Sequence, residues 1–302
     1  MKLVKFKIII TFGLLFTVAV FAILHIYFEQ NLNSSGFLLV SVGLSFNENS
    51  GVYSINLGKE HSLKEYIITD KFDYLSFPIV IGSSLFCIGE NTKNQYFSIV
   101  EVKNKKVKEI LKSRNKIHTF SLVPQKRIVY ISEINNQSLL YSYDQNSQIS
   151  TQLYKGEVDK NSKPIICSDG SIIFVAKEKK GEMIKILLQD GRITGLTPGK
   201  YPIIIESQNR LLFYNSGSIY SVNLVDKKIR VIVKHIVLLE TPVLSPDKQY
   251  IAFFESDYVS FFSGEWANYL SVLSLKNKRK IHINSWSNAK ICKSGLDWIQ
   301  NL

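Results

Sequence analysis

The sequence predicts an all-β fold: a six-bladed β-propeller with four-stranded blades, preceded by a single N-terminal transmembrane helix. Three observations predict it. An alternating strand, a short polar turn and a second strand recur six times. A second marker precedes five of those units in phase. An uncharged apolar run occupies residues 8–28. Internal repeats with a period of ~40–50 residues are what four-stranded blades require.

The chain begins with Lys2, Lys5 and Lys7, followed by 21 residues from Ile8 to Phe28 with no formal charge when His25 is neutral. A spanning helix needs ~20 such residues. Lysines before the run and Glu29 after it place the N-terminus in the cytoplasm and the remainder outside. The competing reading is a cleaved signal peptide, with Val20 and Ala22 as the small-residue pattern and a mature chain starting at Ile23. The apolar run continues past that point through Ile23, Leu24, Ile26 and Phe28, which favours an uncleaved signal-anchor. The predicted organisation is a cytoplasmic tail at 1–7, an anchor at 8–28, a polar linker at 29–35 and a propeller at 36–302, periplasmic or extracellular.

The six hairpins begin with Gly51–Leu57, Tyr96–Val102, Leu139–Tyr143, Met183–Leu188, Ser218–Leu224 and Tyr269–Leu275. Each runs into a polar turn, for example Asp144–Ser147 or Lys276–Arg279. Their ends are 45, 41, 45, 36 and 51 residues apart. The second marker is an apolar inner strand, led by proline at Pro78, Pro164, Pro202 and Pro242 and by Ser121 in the remaining copy. Its steps are 43, 43, 38 and 40 residues. The first blade lacks this strand. Leu296-Asp297-Trp298-Ile299 at the other end of the chain is predicted to supply it, closing the ring and protecting the sheet edges where it joins.

The run Pro242-Val243-Leu244-Ser245-Pro246-Asp247-Lys248-Gln249-Tyr250-Ile251-Ala252-Phe253 resembles the propeller repeat of TolB-like proteins and of the dipeptidyl-peptidase propeller domain. The family pattern is a proline-led strand, a Ser-Pro-Asp-Gly turn and an Ile-Ala-Phe strand. Here Lys248 replaces the glycine, and the blade at Ser168-Asp169-Gly170 keeps Asp-Gly without the proline. The resemblance implies a fold and not a partner, because propellers host many unrelated functions.

A net charge of +12 favours acidic surfaces, anionic lipid or acidic glycans. Nucleic acid is not expected of a domain outside the cytosol. Hydrophobic residues at 45% exclude wholesale disorder. Cys87, Cys167 and Cys292 have no metal-ligand spacing and are expected as small core residues in strands, the alternative being a single bridge that leaves one free thiol.

Catalytic signatures are scarce. There is no Gly-x-Ser-x-Gly, metalloprotease helix, phosphate loop or dinucleotide fingerprint. Gly195-Leu196-Thr197-Pro198-Gly199-Lys200 has the wrong glycine spacing for a phosphate loop and reads as a structural connection between blades. His61, His118, His235 and His282 are dispersed, and Asp169, Asp190 and Asp247 sit where Asp caps turn amides. No metal, cofactor or catalytic residue is assigned.

Two features stand out as binding candidates. Ser256–Asn268 reads as a long loop between the second and third strands of the last blade. It carries Tyr258, Phe261, Phe262 and Trp266, where the other blades have short polar turns. The alternatives are a binding surface and a private hydrophobic plug or extra hairpin. The second is an electrostatic patch at Lys103, Lys105 and Lys106 with Lys278, Arg279 and Lys280, read either as a solvated face or as a footprint for the membrane surface or an acidic ligand. The expected function is a non-catalytic, membrane-anchored binding or scaffold module for a protein or glycan at the cell envelope. The rival is a polysaccharide lyase or glycosidase with its site in the central channel, which the aliphatic inner strands disfavour.

Overall fold

The computed structural model describes residues 37–42, 51–56, 63–67, 71–104, 106–123, 126–239, 241–260, 265–282 and 291–299. Within these ranges, side chains are described for Val52, for 71–256, for 269–282 and for Asp297. The expected anchor at 8–28 lies outside the described residues, and among the described residues no helix is long and apolar enough to cross a membrane.

In chain order the strands are β1 (Phe37–Val42), β2 (Gly51–Asn56) and β3 (Leu63–Ile67); β4 (Tyr74–Ile81), β5 (Ser84–Asn91), β6 (Tyr96–Lys103) and β7 (Lys106–Ser113); β8 (Ile117–Val123), β9 (Arg127–Ile134), β10 (Gln137–Asp144) and β11 (Ile149–Tyr154). Then come β12 (Ile165–Ile166), β13 (Ile172–Glu178), β14 (Gly181–Leu187) and β15 (Ile193–Pro198); and β16 (Lys200–Ile205), β17 (Arg210–Asn215), β18 (Ser218–Asn223) and β19 (Ile229–Lys234). The last group is β20 (Val237–Leu238), β21 (Val243–Leu244), β22 (Tyr250–Ser260), β23 (Glu265–Ser274), β24 (Lys280–His282) and β25 (Ile291–Ile299).

These strands pair into six antiparallel sheets, five of four strands and one of five. The first sheet is closed by the chain's far end: β25 pairs with β1, placing Trp298 opposite Leu38 and Asp297 opposite Leu39. The expected closure is therefore present. The five-stranded sheet departs from the expected four because its inner strand is broken in two. β20 and β21 both pair with β22, at Leu238↔Glu255 and Val243↔Ala252. Pro242 falls between them and has no N–H to offer the ladder.

The same reasoning explains the proline marker. Inner strands β4 and β16 shift register between Ser76 and Ile79 and between Lys200 and Ile203, at Pro78 and Pro202. Phe77 and Tyr201, just before those prolines, have φ of 52° and 55°. A bulge is where a sheet accepts both a missing donor and a left-handed residue. In the fourth blade the ladder retains only β12, directly after Pro164.

The core lies between blades. Phe86, Ile88 and Ile99 of the second blade pack with Phe120, Ile128 and Tyr130 of the third. Val129, Ile131 and Leu140 of the third meet Ile172, Phe174 and Ala176 of the fourth. Tyr201, Leu212 and Ile219 of the fifth meet Ile251, Phe253 and Leu273 of the sixth. The second to fifth sheets thus bury both faces, which is why their strands carry apolar runs as well as alternation. Cys87 and Cys167 are buried as expected, with free thiols; the Cys292 side chain lies outside the described residues.

Successive strands alternate in direction. Turns between second and third strands therefore share one end of the ring, here the upper face, with the crossings between blades. Turns between first and second and between third and fourth strands share the lower face.

Candidate functional site

The inner strands face the ring axis, and where their ladders are interrupted, polar groups reach across it. Thr241 of the sixth blade accepts a hydrogen bond at Oγ1 from the Lys163 N–H of the fourth (2.9 Å) and donates to the Asn161 carbonyl (3.2 Å). These blades are not ring neighbours. Ser121 of the third blade donates its hydroxyl to the Pro164 carbonyl. Ser162 donates to Asp159 (2.6 Å) and accepts from the Tyr201 N–H of the fifth blade (3.2 Å). On the opposite side, Asp297 Oδ2 accepts from the Val80 N–H (2.6 Å), joining the first blade to the second. Burial pulls the Lys163 ammonium below the usual lysine range, and the Asp297 carboxylate partly offsets that pull. Polar contacts thus tie neighbouring blades together around the axis, and those of Thr241 join two blades that are not neighbours. An interrupted strand leaves backbone donors and acceptors that must find partners, and here the neighbouring blades supply them.

For the segment Ser256–Asn268 the structure has strand pairing, the extra hairpin among the alternatives, in place of a long loop. β22 and β23 continue past the length of the other central strands, so the segment is an extended hairpin paired at Ser256↔Asn268, Asp257↔Ala267 and Tyr258↔Trp266. β22 has 11 residues and β23 has 10, against 8 for β5 and β6. Tyr258 and Trp266 hold directly opposed positions on adjacent strands, so they share one face of the hairpin. Phe261 and Phe262 lie outside the described residues. The described part of the hairpin extends from the upper face, between the two central strands of its blade.

The basic candidates lie on the lower face. Lys103 and Lys106 flank the β6–β7 turn, and Lys278 and Arg279 sit in the β23–β24 turn; Lys105 lies outside the described residues. The two groups belong to blades separated by the first blade, so they do not form one local cluster. Lys280 departs from the expected patch: its Nζ sits 2.9 Å from Glu255, a carboxylate only 1% exposed. Ser271, fully buried, donates to Glu255 (2.5 Å) and lies 3.0 Å from His282 Nδ1. A serine, a histidine and a carboxylate therefore meet, but the hydroxyl gives its proton to the carboxylate and has no access to a substrate. A buried charge needs such partners, so the group is a structural tie at the root of the extended hairpin.

Other candidates resolve into structural roles. Asp169, Asp190 and Asp247 each accept a backbone N–H two residues on, from Ser171, Arg192 and Gln249. His118 lies 2.8 Å from Glu133, and burial outweighs that carboxylate in holding its pKa below the ordinary value. Gly195–Lys200 falls in β15 and the start of β16. At Gly199 φ is 139° and a Cβ would meet the Tyr214 carbonyl at 2.8 Å, so glycine is required there by close approach between strands. Among the described residues no group of three or more His, Cys, Asp or Glu side chains is placed to hold a metal. Lys163, Thr241 and Asp297 were not singled out from sequence. The available signal was a charge within the apolar β25 for Asp297 and one just before Pro164 for Lys163; Thr241 gave none.

No protein-family model and no curated protein sequence matches the chain. Solved structures do. TolB from Acinetobacter baumannii aligns with a TM-score of 0.69 at 12% identity, over 89% of this chain and 68% of that one. A nidogen/laminin complex structure aligns at 0.61 and 8% identity, over 88% and 99%. An oligogalacturonate lyase in complex with manganese aligns at 0.53 and 10% identity, over 84% and 75%. At these identities the likeness is one of fold, and the fold is the TolB-like β-propeller.

Proposed function

We propose that the chain is a membrane-anchored, extracytoplasmic propeller that acts as a binding or scaffold module for a protein or glycan at the cell envelope, engaging its partner through the upper face. The observation that carries this reading is the β22–β23 hairpin, which among the described residues runs longer than the second-to-third strand hairpins of the second to fifth blades and carries Tyr258 and Trp266. Aromatic anchors dominate interface energetics. The apolar run at 8–28 behind three lysines supports the anchor and its orientation. A chain of a nidogen/laminin complex shares the fold, an instance of a propeller found in a protein assembly.

Trp266→Ala combined with Phe262→Ala tests the reading by partner capture from envelope extract and, separately, by thermal melting. Truncating a hot-spot aromatic typically costs ~2 kcal/mol, about thirtyfold in affinity. Lost capture with unchanged melting is the expected result. Lowered melting with capture intact would make the aromatics a structural plug and remove the proposed surface. A reporter fused after Leu302 that is active only outside the cytosol tests the orientation, and a mature chain starting at Ile23 would replace the anchor with a secreted protein.

The enzymatic alternative draws on the lyase that shares the fold at a TM-score of 0.53. It would place catalysis at the ring axis. There the charged groups among the described residues include Lys163, Asp297 and Asp159, the last bonded to Ser162, and the hydrogen bonds between blades already engage Thr241 and Ser121.

A further inference from the structure

On the lower face, away from the hairpin, the fifth blade holds a cavity of about 230 Å³ lined by Arg210, Ser221, Asn223, Asp226, Lys228 and Arg230. Strand register explains the convergence. Arg210 of β17 lies opposite Asn223 of β18, and Ser221 of β18 lies opposite Arg230 of β19, so adjacent strands deliver two guanidiniums to the same end of the sheet.

Arg210 is held in place. Its Nε and one terminal nitrogen both donate to the Ser221 hydroxyl (3.1 and 3.0 Å), and the other terminal nitrogen donates to Gln208 (3.1 Å). Ser221 itself is 4% exposed, so this anchor is buried. All three hydrogen bonds go to two neutral acceptors, Ser221 and Gln208, and the remaining N–H bonds of the fork stay available. Asn223 spends its carbonyl oxygen on the Val225 and Asp226 amides, which leaves its NH2 as a donor. Asp226 is the one carboxylate in the lining. It is occupied by the Lys228 N–H (3.0 Å) and the Lys228 ammonium (3.4 Å). Among the described residues neither Arg210 nor Arg230 forms an ion pair with a carboxylate. The lining thus gathers three cations against one anion, with donors arriving from three strands.

We propose that this cavity is a binding site for a phosphate-type dianion, free or as a monoester. A dianion balances the local excess, and a tetrahedral group of oxygens accepts donors from several directions at once, whereas a single carboxylate would leave a charge unmatched. The site is independent of the upper-face reading and would stand if that reading failed.

The test uses the full chain in neutral detergent. Binding of inorganic phosphate is measured by calorimetry at fixed ionic strength, with chloride as the balancing anion so that general screening is constant. Glycerol 3-phosphate forms a second arm. Saturable binding of phosphate is expected, weakened about tenfold by Arg230→Gln, which removes an exposed guanidinium from the lining. Lys228→Gln provides a second exposed substitution, and phosphate-free melting of both variants should match the parent. Tighter binding of the ester than of the ion would assign the site to a phosphorylated sugar or polyol; equal binding would assign it to the free ion. No saturable binding of either probe, or Arg230→Gln binding as well as the parent, would overturn the proposal.

Discussion

Replacing Asp297 with alanine should destabilise the ring by about 3 kcal/mol. The residue sits on β25, the strand that closes the first blade, and accepts the Val80 N–H of the second blade at 2.6 Å. A hydrogen bond to a charged acceptor contributes ~1.5–3 kcal/mol, and a part-buried N–H left without one adds desolvation cost. Asp297 is also the carboxylate that partly offsets the burial of Lys163. Removing one member of a buried charge pair typically costs ~3–5 kcal/mol, which is an upper bound here because both groups retain some exposure. For a chain of this size ~3 kcal/mol corresponds to roughly 6 °C in melting temperature. Asp297→Asn keeps an acceptor for Val80 and should lose about half as much. The assay is thermal and urea melting of the single variants, of Lys163→Met and of the double variant. A coupling of ~1–3 kcal/mol between positions 163 and 297 is expected. Asp297→Ala melting within a degree of the parent, or additive effects in the double variant, would refute the idea that blades are tied together across the axis.

Two further outcomes follow from burial. The Cys87 thiol is fully enclosed and pushed up to about 12, so it should resist a thiol reagent in the native chain and react only with unfolding, a difference read by labelling and mass spectrometry. His118 has its pKa held below 6.5 in the folded chain. The unfolded state therefore binds the proton more readily, and stability should fall as pH drops from 6.5 through the folded value. His118→Gln should flatten that slope in pH-dependent urea titrations.

Much of the architecture was legible because it is local. Alternating strands flanking polar turns, such as Tyr96–Val102 with its turn at Lys103, need only neighbours in sequence to declare themselves. The closing strand was legible by elimination: Leu296–Ile299 had no hairpin partner and the first blade lacked a strand. What remained hidden depends on contacts between distant residues. Thr241 meets Lys163 at 78 positions' separation, and nothing in either segment's composition signals the other. Lys280 stands among lysines of a turn and reads as solvated; only the fold places the buried Glu255 beneath it. The extended hairpin stood only as one alternative beside a loop, because Ser256, Asp257, Ser260 and Gly264 interrupt its apolar pattern, yet strand pairing continues to Ser260↔Glu265. The Arg210–Arg230 cavity escaped notice for the same reason as Lys280, since its cations come from separate strands.

The most direct test of the functional account is hydrogen exchange on the full chain with and without its captured partner. The account predicts new protection at residues 256–268, with the lower-face turns at 103–106 and 276–279 unchanged. Protection confined to those lower-face turns, with the hairpin exchanging as in the free chain, would contradict it.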